Sequence, residues 1–489
     1  MMRSLYSGVS GLKNHQTRMD VVGNNISNVN TTGFKSSRVT FSDTLSQTLS
    51  GAASPQGNLG GTNPKQIGLG SSLSSIDTLF TDGSVQSTGV NTDLCLSGNG
   101  LFIVKNGDAM YYTRNGNFKF DKDGYYVNSD GMKVAGWCAD KPGGTYDTKT
   151  QPGTIRIEAG ETMEASATKQ ATFSKNLDAA EPMIKEITIT TADGQTETIT
   201  ADTNAYKIGA NYTPSGGTAS TIASLTLKLA DGSVSTETEA GTSFRVGNSK
   251  PKTTIATIYD SLGNTHDVVV YMTKLSSGNT GSVWRMSLKD VAADGTSTDT
   301  LKDANGNNVV LNMGKTEIKF NTNGGYDSGS GSTTLTLING AVGTQTVTMD
   351  FKGMTQYAGS NTAFAATDGN AAGTLKSVSI DSAGVITGTY TNGLNIQRGQ
   401  IAIAQFNNAS GLTKTGNSLY TESNNSGTPN VGTITDLGCT VTPSALEMSN
   451  VDMASELTDM IVTQRGYQSN SKIITVSDEL LETLINMKR

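Results

Sequence analysis

Apolar residues recur every seven positions at both ends of this 489-residue chain, and helical periodicity is confined to those ends. Near the start, Leu5, Leu12, Met19 and Ile26 hold the repeat, and Val9, Val22 and Val29 widen the stripe. At the far end the repeat is Met453, Met460, Tyr467, Ile474 and Leu481, flanked by Leu457, Ile461, Leu484 and Ile485. Sustained seven-residue spacing keeps one seam of a helix facing a partner, so the two ends are expected to be helices that pair in a coiled-coil-like fashion. Ser449, Asn450 and Asp452 supply capping residues for the second helix, with Glu456 in its early turns. The first repeat dissolves into turn chemistry across residues 24–30, before Gly33.

Between the ends the sequence reads as β almost throughout. Leu101 to Val104 leads into Asn106-Gly107, and Met110 to Arg114 into Asn115-Gly116. Asp123-Gly124, Asp130-Gly131, Asp193-Gly194 and Asp231-Gly232 each stand between short apolar stretches, the strongest hairpin signal a sequence offers. Ile255 to Tyr259 and Val268 to Met272 flank Leu262-Gly263-Asn264 in the same style. Ser42 to Ser75 is rich in Gly, Ser and Asn and predicts a long loop or extended arm, and Glu422 to Asp436 is a second polar stretch. Two such linkers inside two pairing helices imply a chain that runs out through β domains and back, so that its domains are discontinuous.

The remaining features mostly exclude functions. Length suggests about three domains. Charged residues make up 16% of the chain and the net charge is −7 with no basic block, which disfavours nucleic acid and anionic membranes as partners. No apolar run approaches the ~20 residues that span a bilayer, and no apolar signal segment follows Arg3. Cys95, Cys138 and Cys439 lie far apart without metal-ligand spacing and read as small apolar side chains. The two histidines are His15, in the first helix, and His266, expected on the surface of a hairpin. Gly68-Leu69-Gly70 lacks the lysine of a phosphate loop, and Asp121-Lys122-Asp123-Gly124 lacks the ligand set of a calcium loop and reads as a turn. No catalytic, metal or cofactor site is expected; the chemistry predicted is association.

The terminal motifs resemble those of the bacterial flagellar rod and hook family. Gly23 to Lys35, with Asn24, Asn25, Asn28, Gly33, Phe34 and Lys35, is similar to that family's N-terminal signature. Ala445 to Ile461, with Asn450 and Asp452, resembles its C-terminal signature, as does Gln464 to Asn470, with Arg465. Tyr112 to Phe118 is similar to a shared hairpin, and Ile258 to His266, Gly388 to Gly393 and Gly399 to Ala404 resemble hook-type segments of the β middle. The resemblance implies a mainly β, multi-domain hook subunit, a structural protein that polymerises into a curved, flexible tube passing motor torque to the filament. Competing readings are a distal-rod-like axial protein and, from another class, a secreted β-rich adhesin. Some family members carry a cross-linking cysteine before Asn-Leu-Asp; here Lys175 precedes Asn176-Leu177-Asp178, and that chemistry is not expected.

The implied domains are a terminal-helix domain lining the tube (1–32 and 450–489) and extended linkers (33–80 and 425–449). They continue with an inner β domain (81–166 and 362–424) and outer β structure (167–361), where 180–250 is a candidate additional subdomain. The implied partners are further copies of the chain, the distal rod, the hook cap, the hook–filament junction protein and the flagellar type III export apparatus. The implied location is the flagellum, outside the cell, after export without a cleaved signal. Self-assembly is assigned to the terminal helices through Leu5, Leu12, Met19, Ile26, Met453, Leu457, Met460, Tyr467, Ile474 and Leu481. A helix whose apolar stripe lacks a partner is marginal in water, so both ends are expected to be mobile in the monomer and to fold on assembly.

Overall fold

The structure is a computed structural model describing all residues except 1, 56, 58–59, 280, 304–305, 337–340, 342 and 488–489. Both terminal repeats are helices: α1 spans Met2–Ser27 and α2 spans Met453–Asn486. Neither contains proline. α1 stops where the Asn28 side-chain amide donates back to the Asn24 carbonyl at 2.9 Å. α2 opens at Asp452, whose carboxylate accepts from the Ala454 and Ser455 amides and so satisfies two of the helix's free donors. The chain forms two compact units, Met1–Glu161 with Leu375–Arg489, and Thr162–Thr374. The boundaries drawn at 166 and 362 thus lie at Glu161 and Leu375, because Phe364–Thr367 pairs with Gln170–Asp178 inside the second unit.

In the first unit, the strand Asn395–Gln405 organises the main sheet. It pairs with Val385–Tyr390, with Lys133–Cys138 (Gly136 opposite Ile401) and with Gly100–Asn106 (Ile403 opposite Phe102). Both faces of this sheet are covered. Phe102, Val104, Val134, Ile401 and Ile403 enter one core, while Leu101, Ile103, Ala135, Trp137, Ala402 and Ala404 enter the other. That is why these strands read as continuous apolar runs instead of alternating. The hairpins turn at Asn106-Gly107, Asp123-Gly124 and Asp130-Gly131. Asn115-Gly116 is the exception: no hairpin closes there. The Gly116 carbonyl accepts from the Leu94 amide at 3.1 Å, and the segment serves as a seat for Gly33.

The segments 37–50 and 65–78 form an extended β arm. Ser37–Asp43 pairs with Ser71–Thr78, and farther out Ser46–Ser50 pairs with Lys65–Gly68. Midway along it, where Ser71 stands opposite Asp43, the arm is tied to α1 by a hydrogen bond from the Asn14 amide to the Ser71 hydroxyl at 2.7 Å. The return segment 425–449 is likewise structured, with Asn430–Thr433, Thr440–Pro443 and Ala445–Glu447 all paired, because Ile434, Val441, Ala445 and Leu446 are buried.

The second unit contains a five-stranded and a seven-stranded sheet that share one core, including Trp284, Phe173, Phe351 and Met286. Residues 184–246 carry a separate sheet and their own core of Ile187, Ile189, Leu225, Leu227 and neighbours. His266, expected at the surface, is 3% exposed. It occupies an inward position of the strand Thr265–Gly278, with Nε2 3.4 Å from the Asp260 carboxylate. Strand alternation outweighs its closeness to a turn.

Candidate assembly interface

α1 and α2 run antiparallel: Gly8 lies against Ile474, Gly11 against Asn470, His15 against Gly466, and Asn25 against Glu456. Glycine permits this approach. A Cβ at Gly466 would stand 2.5 Å from the His15 ring, and one at Gly11 would stand 2.7 Å from the Asn470 amide. The side chains α2 turns toward α1 are largely small or polar: Thr463 and Ser477 are buried, and Asn470 and Glu456 are half-buried. Each hydroxyl is satisfied within the helix, Thr463 by Asp459 and Ser477 by Ile473. Arg18 and Asp459 add an ion pair at 3.1 Å. Burial raises the Glu456 carboxyl above the usual range, against the stabilising bond from Asn25.

The apolar repeats therefore divide. Leu5, Leu12, Met19, Ile26, Met460, Ile474 and Leu481 are half-buried, whereas Met453, Leu457 and Tyr467 are exposed. Ile461, Val462, Ile473, Val476, Leu480, Leu484, Ile485 and Met487 are exposed as well. A helix that keeps so much apolar surface in water is a helix short of partners.

The signature residues build a joint at the base of the helix pair. Asn25 accepts from the Ser37 amide at 3.0 Å and donates to the Ser37 carbonyl and to Glu456. Asn450 accepts from the Ser36 amide at 2.8 Å and donates to the Leu79 carbonyl at 2.9 Å. Gly33, at φ +65°, presses onto Asn115 so closely that a Cβ would lie 2.6 Å from its backbone nitrogen. Phe34 receives the Lys414 ammonium over its ring at 4.9 Å.

Beneath these lies a buried ionic cluster. Lys35 donates to Glu447 at 2.7 Å and to the Thr81 carbonyl, while Glu447 also accepts from the Gly83 amide. Arg114 donates to Asp82 and to the carbonyls of Leu96 and Gly98, and approaches Glu447 at 3.8 Å. Burial first, and the Arg114 charge second, lower the Lys35 pKa. Burial, with Glu447 next, pushes the neighbouring Cys95 thiol up to about 11, so this cysteine stays protonated and inert. No role is predicted for Glu447, Arg114 or Asp82 from sequence; the one signal is a charge between apolar neighbours at Glu447, flanked by Leu446 and Met448.

Four family models match successive parts of the chain. They are the flagella basal body rod protein model (5–35), the flagellar hook protein FlgE/F/G D1 domain (95–201), the flagellar basal body protein FlaE D2 domain (229–370) and the flagellar basal body rod FlgEFG protein C-terminal model (442–487). The flagellar hook protein FlgE of Treponema pallidum is 37% identical over 100% of both chains. That of Borreliella burgdorferi is 39% identical, again over 100% of both. The chain belongs to the flagellar hook protein family. The flagellar basal-body rod protein FlgG of Bacillus subtilis also matches end to end, at 29% identity, below both of these hook proteins.

As a hook-family chain, it is a structural subunit of the bacterial flagellum, mainly β with a helix at each end. Its signature residues fall into two groups. Asn25, Gly33, Phe34, Lys35, Asn450 and Asp452 act within the chain, in the joint or as a cap. Asn24, Gln464 and Arg465 are exposed, Asn28 closes α1, and Asn470 sits in the helix seam.

Proposed function

We propose that this chain polymerises head to tail into the curved, flexible tube of the flagellar hook, with its helix pair on the inner wall and its β units outward. The observation that carries this reading is the apolar surface left on α2 after it has paired with α1. Burying one Leu or Ile stabilises by about 1.5–3 kcal/mol, so the exposed set supplies a drive for association that the monomer leaves unused. Heterologous contacts that do not close generate an open helix of subunits. The Ser/Thr/Asn-rich β surfaces suit contacts that slide during bending, since polar pairs are readily remade with water. By family, the partners at the ends of the polymer and during export are the distal rod, the hook cap, the hook–filament junction protein and the type III export apparatus. Electron microscopy of concentrated purified protein tests the reading: curved tubes are expected, and straight rods or persistent monomers would refute it. Deleting Leu481 to Arg489 is expected to abolish tubes while leaving the near-UV dichroism of the β units intact.

A further inference from the structure

Six of the exposed apolar residues of α2 form two patches on different flanks of the helix. The side facing α1 is defined by Glu456, Thr463, Asn470 and Ser477. Met453, Leu457 and Ile461 cluster on one flank of that seam, in the N-terminal half of the helix, and are 43%, 45% and 59% exposed. Ile473, Val476 and Leu480 cluster on the other flank, in the C-terminal half, and are 41–52% exposed, while Leu484, seven residues beyond Ser477, continues the line that faces α1. At 100° and 1.5 Å per residue, the patches are about 140° apart around the helix and about 30 Å apart along it.

Each flank is largely polar where the other is apolar. Below Ile461 the first flank continues as Gln464, Gln468, Ser471 and Thr475, with Tyr467 and Ile485 as exposed apolar residues there. Above Ile473 the second flank carries Ser455, Thr458 and Ser469, with Val462 its one exposed apolar residue there. The strip between the flanks, opposite α1, holds Arg465, Lys472 and Glu479, all exposed. A single parallel neighbour at the same height would set apolar against polar on both flanks. A neighbour displaced along the helix sets apolar against apolar.

We propose that the Met453–Leu457–Ile461 patch of one copy packs onto the Ile473–Val476–Leu480 patch of a second copy, displaced by about 30 Å along α2. This deepens the tube reading and rests on it. The contact joins two different surfaces, so it is heterologous: every copy offers one patch to the neighbour on one side and the other patch to the neighbour on the other, and the chain of copies stays open. A flank angle below 180° curves such an array and leaves the charged strip facing water. The apolar residues of the two patches are thereby divided between two neighbours.

The test uses the full-length chain. Leu457→Glu with Ile461→Glu spoils the first patch, and Val476→Glu with Leu480→Glu spoils the second. All four side chains are solvent-exposed, and far-UV dichroism checks that the helix persists. Either double variant still binds one end of a growing polymer but blocks the next addition. Mixed at a small molar fraction with wild-type protein, each is expected to cut sedimentable polymer several-fold more than its share. The quadruple variant binds neither end and is expected to be inert. Pairing Leu457→Glu with Leu480→Lys in one chain is expected to restore polymer that Leu457→Glu with Leu480→Glu loses. Double variants that co-assemble freely or merely dilute the wild type, or a charge swap that restores nothing, overturn the patch pairing. Wild-type protein that forms no polymer overturns the tube reading beneath it.

Discussion

Lys35 and Glu447 stand 412 residues apart and meet at 2.7 Å, each side chain about 1% exposed. The pair fastens the strand leaving α1 to the strand entering α2, and Arg114 links it to the β sheet of the same unit. A buried pair is costly to break because the survivor stays charged without a partner, typically by about 3–5 kcal/mol. Glu447→Ala is accordingly expected to lower the unfolding free energy of the first unit by that amount. Lys35→Met combined with Glu447→Gln should cost clearly less than the two single changes added together. Urea denaturation of the four proteins measures the coupling.

Gly33 and Gly23 should respond oppositely to alanine. Gly33 adopts φ +65°, and a Cβ there collides with the backbone of Asn115. Gly33→Ala is expected to destabilise by about 1–3 kcal/mol, combining strain and displacement. Gly23 lies within α1 with nothing within 4 Å of a built Cβ. Gly23→Ala should raise monomer stability by up to about 1 kcal/mol. Thermal unfolding of both variants decides the contrast.

Glu456 makes the helix pair more stable in mild acid than at neutral pH. Its folded pKa lies above the 4.5 of a free glutamate, because burial beside Asn25 disfavours the charge. The folded state therefore binds the proton more tightly than the unfolded chain. Stability from this group is present at low pH and is lost as pH rises from 4.5 through the raised value. Glu456→Gln keeps an acceptor for Asn25 and removes the titration. Denaturation midpoints across that window should show the wild type losing stability relative to the variant as pH rises.

The seam between α1 and α2 is built mainly from small and polar groups, so the pair is held weakly in the monomer. Amides of residues 473–486 are expected to exchange rapidly in the monomer and to gain protection on polymerisation. Hydrogen exchange with mass spectrometry reads this directly. Strong protection in the monomer would show that α2 needs no neighbours.

Much of the fold was legible along the chain. The seven-residue repeats marked both helices, Asp452 marked the start of α2, and the Asp-Gly turns marked hairpins, because each is a local relation among neighbouring residues. The errors also have local causes. Asn115-Gly116 has hairpin chemistry, but tertiary contact uses it as a seat for Gly33, and His266 follows a turn yet points inward.

By itself, then, the sequence determined that two amphipathic termini bracket a β middle, and that its signatures are those of an assembling axial protein. Only the tertiary structure decided which face of each helix meets the other. Gly8, Gly11 and Gly466 bring the backbones so close that Thr463, Asn470 and Ser477 fit the seam better than bulky apolar residues do. Periodicity shows that a stripe exists, but it is blind to the distance between helices. That distance turned the seam polar and left Leu457, Ile461, Val476 and Leu480 facing outward, where another copy can cover them.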